Sequence, residues 1–235
     1  MSESNHGAGA ALTAEIAGNV ETFVRQVVVP YEKDPRRDHH NCPTDELVME
    51  MREKARDAGV LTPHILDNGR HLTQRETAWV LRCTGLSPLG PLACNTMSPD
   101  EGNMYLLGKV GDDAIKERFL APLIEGHARS AFFMTEPASE GGAGSDPSMM
   151  QTTCHLDGDH WVVNGRKCFI TGADGARVGI VMAKGEDGAL QRRGLISANF
   201  SIKSAFLRDK AELFDEEFPY SQNEDTEFGV RMVCQ

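Results

Sequence analysis

The chain has 235 residues, enough for one large or two small domains, and 40% of them are hydrophobic, enough for a core. With 24 Lys and Arg against 35 Asp and Glu, its net charge of −11 disfavours nucleic acid and anionic membrane surfaces, both of which reward basic patches. No apolar run approaches the about 20 residues that span a bilayer. Met1-Ser2-Glu3-Ser4-Asn5-His6-Gly7 carries no basic region followed by an apolar stretch and is not Arg-rich, so a cytoplasmic protein is expected. The six cysteines form no C-x-x-C pair and read as small buried hydrophobes. No metal ligands are expected, and His39-His40 beside Cys42 reads as part of a solvated loop.

The first half reads as helices. Thr13 can cap one in which Ile16, Val20, Phe23, Val24, Val27 and Val28 form an apolar stripe, with Pro30 as its stop. Thr44 caps a second, with Leu47, Met51, Ala55 and Ala58 on one face and Gly59 at its end. Thr73 and Glu76 make a capping box for a third. Asp100 begins a fourth. Asp112 or Asp113 begins a fifth, whose last turn Pro122 distorts. Thr13 to Gly126 is thus expected to be an all-helical bundle.

At Ser130 the pattern changes. Ser130-Ala131-Phe132-Phe133-Met134 is apolar and aromatic, as suits a strand, and Pro137 stops it. The glycines of Gly141-Gly142-Ala143-Gly144-Ser145-Asp146 permit positive φ and crowded N–H groups that could cradle an anion, with Ser145 adding a hydroxyl; a plain surface loop is the alternative. A meander is expected next: Met149 to Leu156, a turn at Asp157-Gly158, then His160 to Val163. Asn164-Gly165 reads as a hairpin turn before a strand from Arg166 to Thr171. Val178 to Ala183 reads as a fourth strand.

Three runs, Thr135-Glu136-Pro137, Gly142-Ala143-Gly144-Ser145-Asp146 and Asn164-Gly165-Arg166-Lys167-Cys168-Phe169-Ile170-Thr171, resemble the flavin-binding core of the acyl-CoA dehydrogenase family. Its pattern is T-E-P, G-A-G-S-D, then N-G-x-K-x-W-I-T. Here Ala138-Ser139-Glu140-Gly141 is interposed after Pro137, and Phe169 stands where Trp is usual. The resemblance covers roughly Thr13 to Gly188. It implies an α+β architecture, an N-terminal all-helical domain over residues 1–126 followed by an incomplete antiparallel β-barrel domain over residues 127–188.

The resemblance also implies an FAD-dependent α,β-dehydrogenation of an acyl-CoA thioester in fatty acid metabolism. The Met134 backbone and Thr135 would contact the pyrimidine edge of the ring, and Thr171 would bond near N5. Phe169 would pack on the ring, Phe132 occupies a common aromatic position, and Ser145 would reach the pyrophosphate or the CoA. The expected partners are an acyl-CoA substrate, an electron-transfer flavoprotein-type acceptor and possible copies of the chain itself. The family's dehydrogenase motifs favour this chemistry over that of the related oxidases and monooxygenases. The whole assignment requires the segments ending at Glu136-Pro137 and at Ile170-Thr171 to line one wall.

Residues 189–235 match no expected family segment and read as a divergent tail, mobile or altered in frame. The family's glutamate base belongs to a C-terminal helical bundle, so no catalytic residue is named here. The tail's Glu212, Glu216, Glu217, Glu224 and Glu227 read as solvated charges. A truncated form with little activity alone is therefore expected, the alternative being a non-catalytic helical/β fragment that acts through a partner.

Overall fold

The structure is a computed structural model. It describes residues 8–37, 42–138, 144–173 and 175–185, and the backbone of 196–198 and 228–233. His39 and His40, Gly141 to Ala143 and the five tail glutamates lie outside the described residues. The chain divides into two units, Met1–His127 and Ala128–Gln235.

The first unit is helical. Helix α1 spans Ala10–Phe23, α2 Asp45–Asp57, α3 Gln74–Thr84, α4 Gly90–Ala93 and α5 Asp100–Val110, and the short α6 (Asp113–Ile115) and α7 (Ala121–Ile124) close it. Several caps follow the sequence reading. Thr44 accepts from Leu47 N at 3.3 Å, Asp112 accepts from Ile115 N at 2.8 Å, and Thr73 with Glu76 forms a full capping box. Two differ. Gly9, not Thr13, precedes α1; Thr13 is buried and its hydroxyl donates to Gly9 O. Pro99 precedes α5, so Asp100 is its first residue and not its cap.

Pro30 does not stop the first helix. A π-helical turn at Val24–Val28 and a 3-10 turn at Val29–Lys33 carry the chain through the proline. The same device recurs at Pro122, where a π turn at Lys116–Leu120 precedes α7. In both places the wide turn ends two residues before the proline. A widened turn accommodates a residue that lacks an N–H and whose ring would collide with the preceding turn. The distortion expected in the last turn at Pro122 therefore lies ahead of it, in the turn Lys116–Leu120.

The apolar stripes of α1, α2 and α3 meet through Val20, Phe23, Leu47, Met51, Ala55 and Val80. Arg52, buried on α2, donates to the carbonyls of Leu92 (3.1 Å) and Gly126 (2.9 Å). Thr62 and Asn95 both hold left-handed backbones. Asn95 Nδ2 donates to Thr62 Oγ1 and Leu123 O, and Thr62 Oγ1 donates to Ile124 O. These bonds tie the loop after α2 to the turn after α4 and to α7. Among the described residues no helix is long and apolar enough to cross a membrane.

Among the described residues the second unit holds two three-stranded sheets. Strands β1 (Ser130–Phe133), β4 (Val178–Val181) and β5 (Ile196–Ala198) form one in the order β1-β4-β5. Strands β2 (Thr153–Asp157), β3 (His160–Lys167) and β6 (Phe228–Val233) form the other in the order β2-β3-β6. Helix and strand are thus mixed as expected, but no closed barrel is present among the described residues. The expected all-antiparallel arrangement is also corrected, because β1 and β4 pair in parallel, Ser130 opposite Val178 and Phe133 opposite Val181. The long connection between them lets the chain return in the same direction, which a two-residue hairpin cannot. Strands β5 and β6 come from the stretch read as a divergent tail.

The Asn164-Gly165 hairpin is absent. Strand β3 runs straight through it, with Asn164 opposite Thr153 on one side and Arg231 on the other. Gly165 is needed for closeness, not for a turn: a Cβ there would lie 2.2 Å from Thr152 Oγ1 and 2.7 Å from Thr152 Cα. Backbone cannot yield as a flexible side chain can, so Gly165→Ala is expected to destabilise the second unit by about 1–3 kcal/mol. A denaturant titration showing an unchanged midpoint would contradict this packing.

Candidate functional site

The site is built on a buried ion pair that the sequence reading passed over. Glu136 follows β1 and is 2% exposed; Lys167 ends β3 and is 4% exposed. Lys167 Nζ lies 2.9 Å from Glu136 Oε1 and donates at 3.0 Å to the Met134 carbonyl. Glu136 also accepts from Gln151 N at 2.7 Å, from Thr152 N at 2.9 Å and from the Thr152 hydroxyl. Its own N–H donates to Gly144 O at 3.1 Å. One residue thus gathers the end of β1, the approach to β2 and the end of β3 through its carboxylate, and the glycine loop through its backbone N–H.

Burial alone would raise the Glu136 pKa, but the bonds from Thr152, Gln151 and Lys167 outweigh it and hold the carboxyl at about 2. Burial lowers the Lys167 pKa, and Glu136 opposes that shift. Glu136 is therefore ionised at neutral pH, its charge satisfied by hydrogen bonds from backbone and side chain.

Around this pair the structure places the residues singled out by sequence. Thr135 O accepts from Cys168 N at 3.0 Å, so the T-E-P segment and the segment leading to Phe169, Ile170 and Thr171 are bonded directly to each other. Met134 and Thr135 are half-buried, and Thr171 is exposed. Phe132 is half-buried, while its neighbours Ala131 and Phe133 point into the core with Cys154, Val163 and Ile170, as strand alternation requires. Ser145 is exposed, beside Gly144 in its left-handed conformation.

Phe169 has the most unusual environment. Its φ is 55° and its side chain is 53% exposed. A bulky residue in the left-handed region is strained by about 1–3 kcal/mol. The strain is imposed from both sides, since Cys168 N is bonded to Thr135 O and Ile170 is buried in the core. The outcome is an aromatic face turned outward beside two threonines. No hydrophobic core accounts for it.

Glu136 and Lys167 carry a sequence signal in hindsight. Glu136 is a lone charge inside an otherwise apolar or small-residue run, Lys167 stands beside Arg166 just before the apolar Cys168-Phe169-Ile170, and such charges are rarely buried unless paired.

Comparison with known proteins supports the same region. The description "acyl-CoA dehydrogenase, middle domain" matches residues 131–200. That match runs past Gly188, where the resemblance read from motifs ends. A Mycobacterium tuberculosis protein named a probable acyl-CoA dehydrogenase, FadE2, is 38% identical over 147 residues, 62% of this chain and 35% of its own. Among solved structures, one from Mycobacterium abscessus, named as an acyl-CoA dehydrogenase, superposes with a TM-score of 0.65 at 32% identity, covering 78% of this chain and 48% of that one. A glutaryl-coenzyme A dehydrogenase in complex with glutaryl-CoA superposes at 0.56 with 25% identity, covering 76% and 44%. The chain belongs to the acyl-CoA dehydrogenase family. It spans about a third of the curated relative and about half of the solved chains.

Removing one member of a buried pair strands the other, at about 3–5 kcal/mol. Lys167→Met is expected to lower stability by that amount, and the double variant Glu136→Gln with Lys167→Met to recover part of it. Because the folded-state pKa of Glu136 lies below the unfolded value of 4.5, its stabilisation is complete above about 4.5 and is lost as pH falls towards 2. Unfolding free energies measured across that window fall steeply for the natural chain and less steeply for Glu136→Gln.

Proposed function

We propose that this chain carries the flavin-binding part of an FAD-dependent acyl-CoA dehydrogenase, an oxidoreductase that forms an α,β double bond in an acyl-CoA thioester. The observation that carries this reading is the bond from Cys168 N to Thr135 O. It sets the two motif segments side by side and leaves Phe169 and Thr171 exposed next to half-buried Thr135. A flat aromatic cofactor requires such a surface: an aromatic face, adjacent hydroxyls and nothing packed over them.

When bound, FAD would supply the hydride acceptor. Phe169 would pack against the ring and Phe132 would stand near it. Met134, through its backbone, and Thr135 would hold the pyrimidine edge, and Thr171 would bond near N5. Ser145 would reach the pyrophosphate or the CoA portion of the substrate. Positioning of this kind lowers a barrier by holding reactants in near-attack geometry. An acyl-CoA substrate, an electron-transfer flavoprotein-type acceptor and self-association follow from the same family reading. No residue of this chain is assigned as the base that removes the α-proton.

Titration of the purified chain with FAD tests the reading. Uptake with a shifted flavin absorbance is expected. Thr171→Ala is expected to weaken it several-fold, as loss of about 1 kcal/mol of hydrogen bonding implies. Phe169→Ala is expected to weaken it by up to about tenfold through lost ring packing, without lowering the unfolding midpoint, because the side chain is exposed. A folded chain that takes up no FAD would favour the non-catalytic, partner-binding reading.

A further inference from the structure

The helical unit holds a second cluster of reactive side chains, unrelated to the flavin reading. Between α2 and α3 the chain folds back on itself: Ile65 pairs with His71 in an antiparallel bridge, Leu66 N donates to Arg70 O, and Leu72 N donates to His64 O at 2.9 Å. This return brings the His64 and His71 rings to 5.1 Å between centroids. Glu101, in the first turn of α5, faces them, and Tyr105 one turn later packs edge-on against His71 at 4.9 Å.

His64 is fully buried, and neither of its ring nitrogens has a hydrogen-bond partner among the described residues. An imidazole in that position has given up water for nothing in return, which natural cores avoid. His71 points to the missing component. Its Nδ1 lies 2.7 Å from Leu72 O, and since a carbonyl only accepts, Nδ1 carries the proton. Its Nε2 then faces the Glu101 carboxylate at 3.4 Å without hydrogen-bond geometry. A ring that donates its far N–H to a backbone carbonyl while its near nitrogen faces a carboxylate is the usual posture of a metal-ligating histidine.

We propose that His64, His71 and Glu101 form a binding site for a divalent transition ion of the zinc class. The three ligand atoms lie within 4.8 Å of one another. With bonds of about 2.1 Å, two ligands of a tetrahedral zinc stand about 3.4 Å apart, which is the separation already present between His71 Nε2 and Glu101 Oε1. The widest separation in the cluster, 4.8 Å, exceeds the tetrahedral spacing by about 1.4 Å, so a side-chain movement of about 1–2 Å closes His64 onto the ion. Two imidazoles and one carboxylate suit zinc better than magnesium or calcium, which prefer oxygen alone. Three protein ligands leave a fourth position for water, on the side where His71 and Glu101 are only partly buried. The ion would staple the loop before α3 to the start of α5.

Equilibrium dialysis of the chelator-stripped chain against zinc, with metal analysis, decides the matter, and cobalt substitution reports the geometry. One zinc per chain and a tetrahedral cobalt spectrum are expected, with a rise in the melting temperature on zinc addition. His71→Ala and Glu101→Gln should each weaken binding by more than the about 10–100-fold typical of losing an outer-shell partner. Tyr105→Phe should leave it intact. Glu101→Gln keeps the side chain's shape and so remains informative should His71→Ala or His64→Ala fail to fold. Absence of stoichiometric zinc would overturn the proposal and leave the His64 nitrogens to a trapped water. Zinc retained equally by His71→Ala and Glu101→Gln would overturn it too, by placing the metal elsewhere.

Discussion

The second unit depends on a carboxylate kept charged where little water reaches it. Glu136 can remain ionised only because an ammonium, two backbone N–H groups and a hydroxyl converge on it. Those donors come from two stretches of chain, Gln151-Thr152 just before β2 and Lys167 at the end of β3. Satisfying one charge therefore fixes the relative positions of the end of β1, the start of β2 and the end of β3. A hydrophobic contact in the same place would be as stabilising but less demanding in direction. The glycine loop is drawn into the same arrangement, since Glu136 N bonds Gly144 O.

The strain at Phe169 follows from that arrangement. With Lys167 anchored in the ion pair, Cys168 bonded to Thr135 and Ile170 drawn into the core, one residue must absorb the change of direction. A glycine would do so without strain. A phenylalanine there gives up local stability and leaves its aromatic side chain 53% exposed. In the helical unit Arg52 plays a role comparable to that of Glu136. It is a buried charge whose donors reach carbonyls far apart in sequence, and the left-handed Thr62 and Asn95 beside it are tied down by the same kind of bonding.

Much of this was legible in residues one turn apart. The caps at Thr44, Thr73 with Glu76, and Asp112 are local, because a side-chain oxygen reaches an N–H two or three residues on whatever the rest of the chain does. Local rules failed where a distant neighbour intervened. Asn164-Gly165 has the composition of a hairpin turn, yet the approach of Thr152 makes it the middle of a strand. Pro30 has the composition of a helix end, yet a wider turn ahead of it carries the helix onward, and Pro122 is preceded by a wider turn of the same kind. At the candidate site, Thr135 and Thr171 stood out as members of motifs, whereas Glu136 and Lys167 stood inside the same motifs without an assigned task.

The amino-acid order by itself determined the helical first half, the switch to strands at Ser130 and the family to which the chain belongs, since these rest on periodicity, capping and short motifs. Only the tertiary structure decided that β1 and β4 run parallel, that Glu136 and Lys167 meet, that Phe169 is turned outward, and that His64 and His71 face Glu101. The physical reason is that burial, charge pairing and close backbone approach are properties of residues far apart in sequence, and no window along the chain contains both partners.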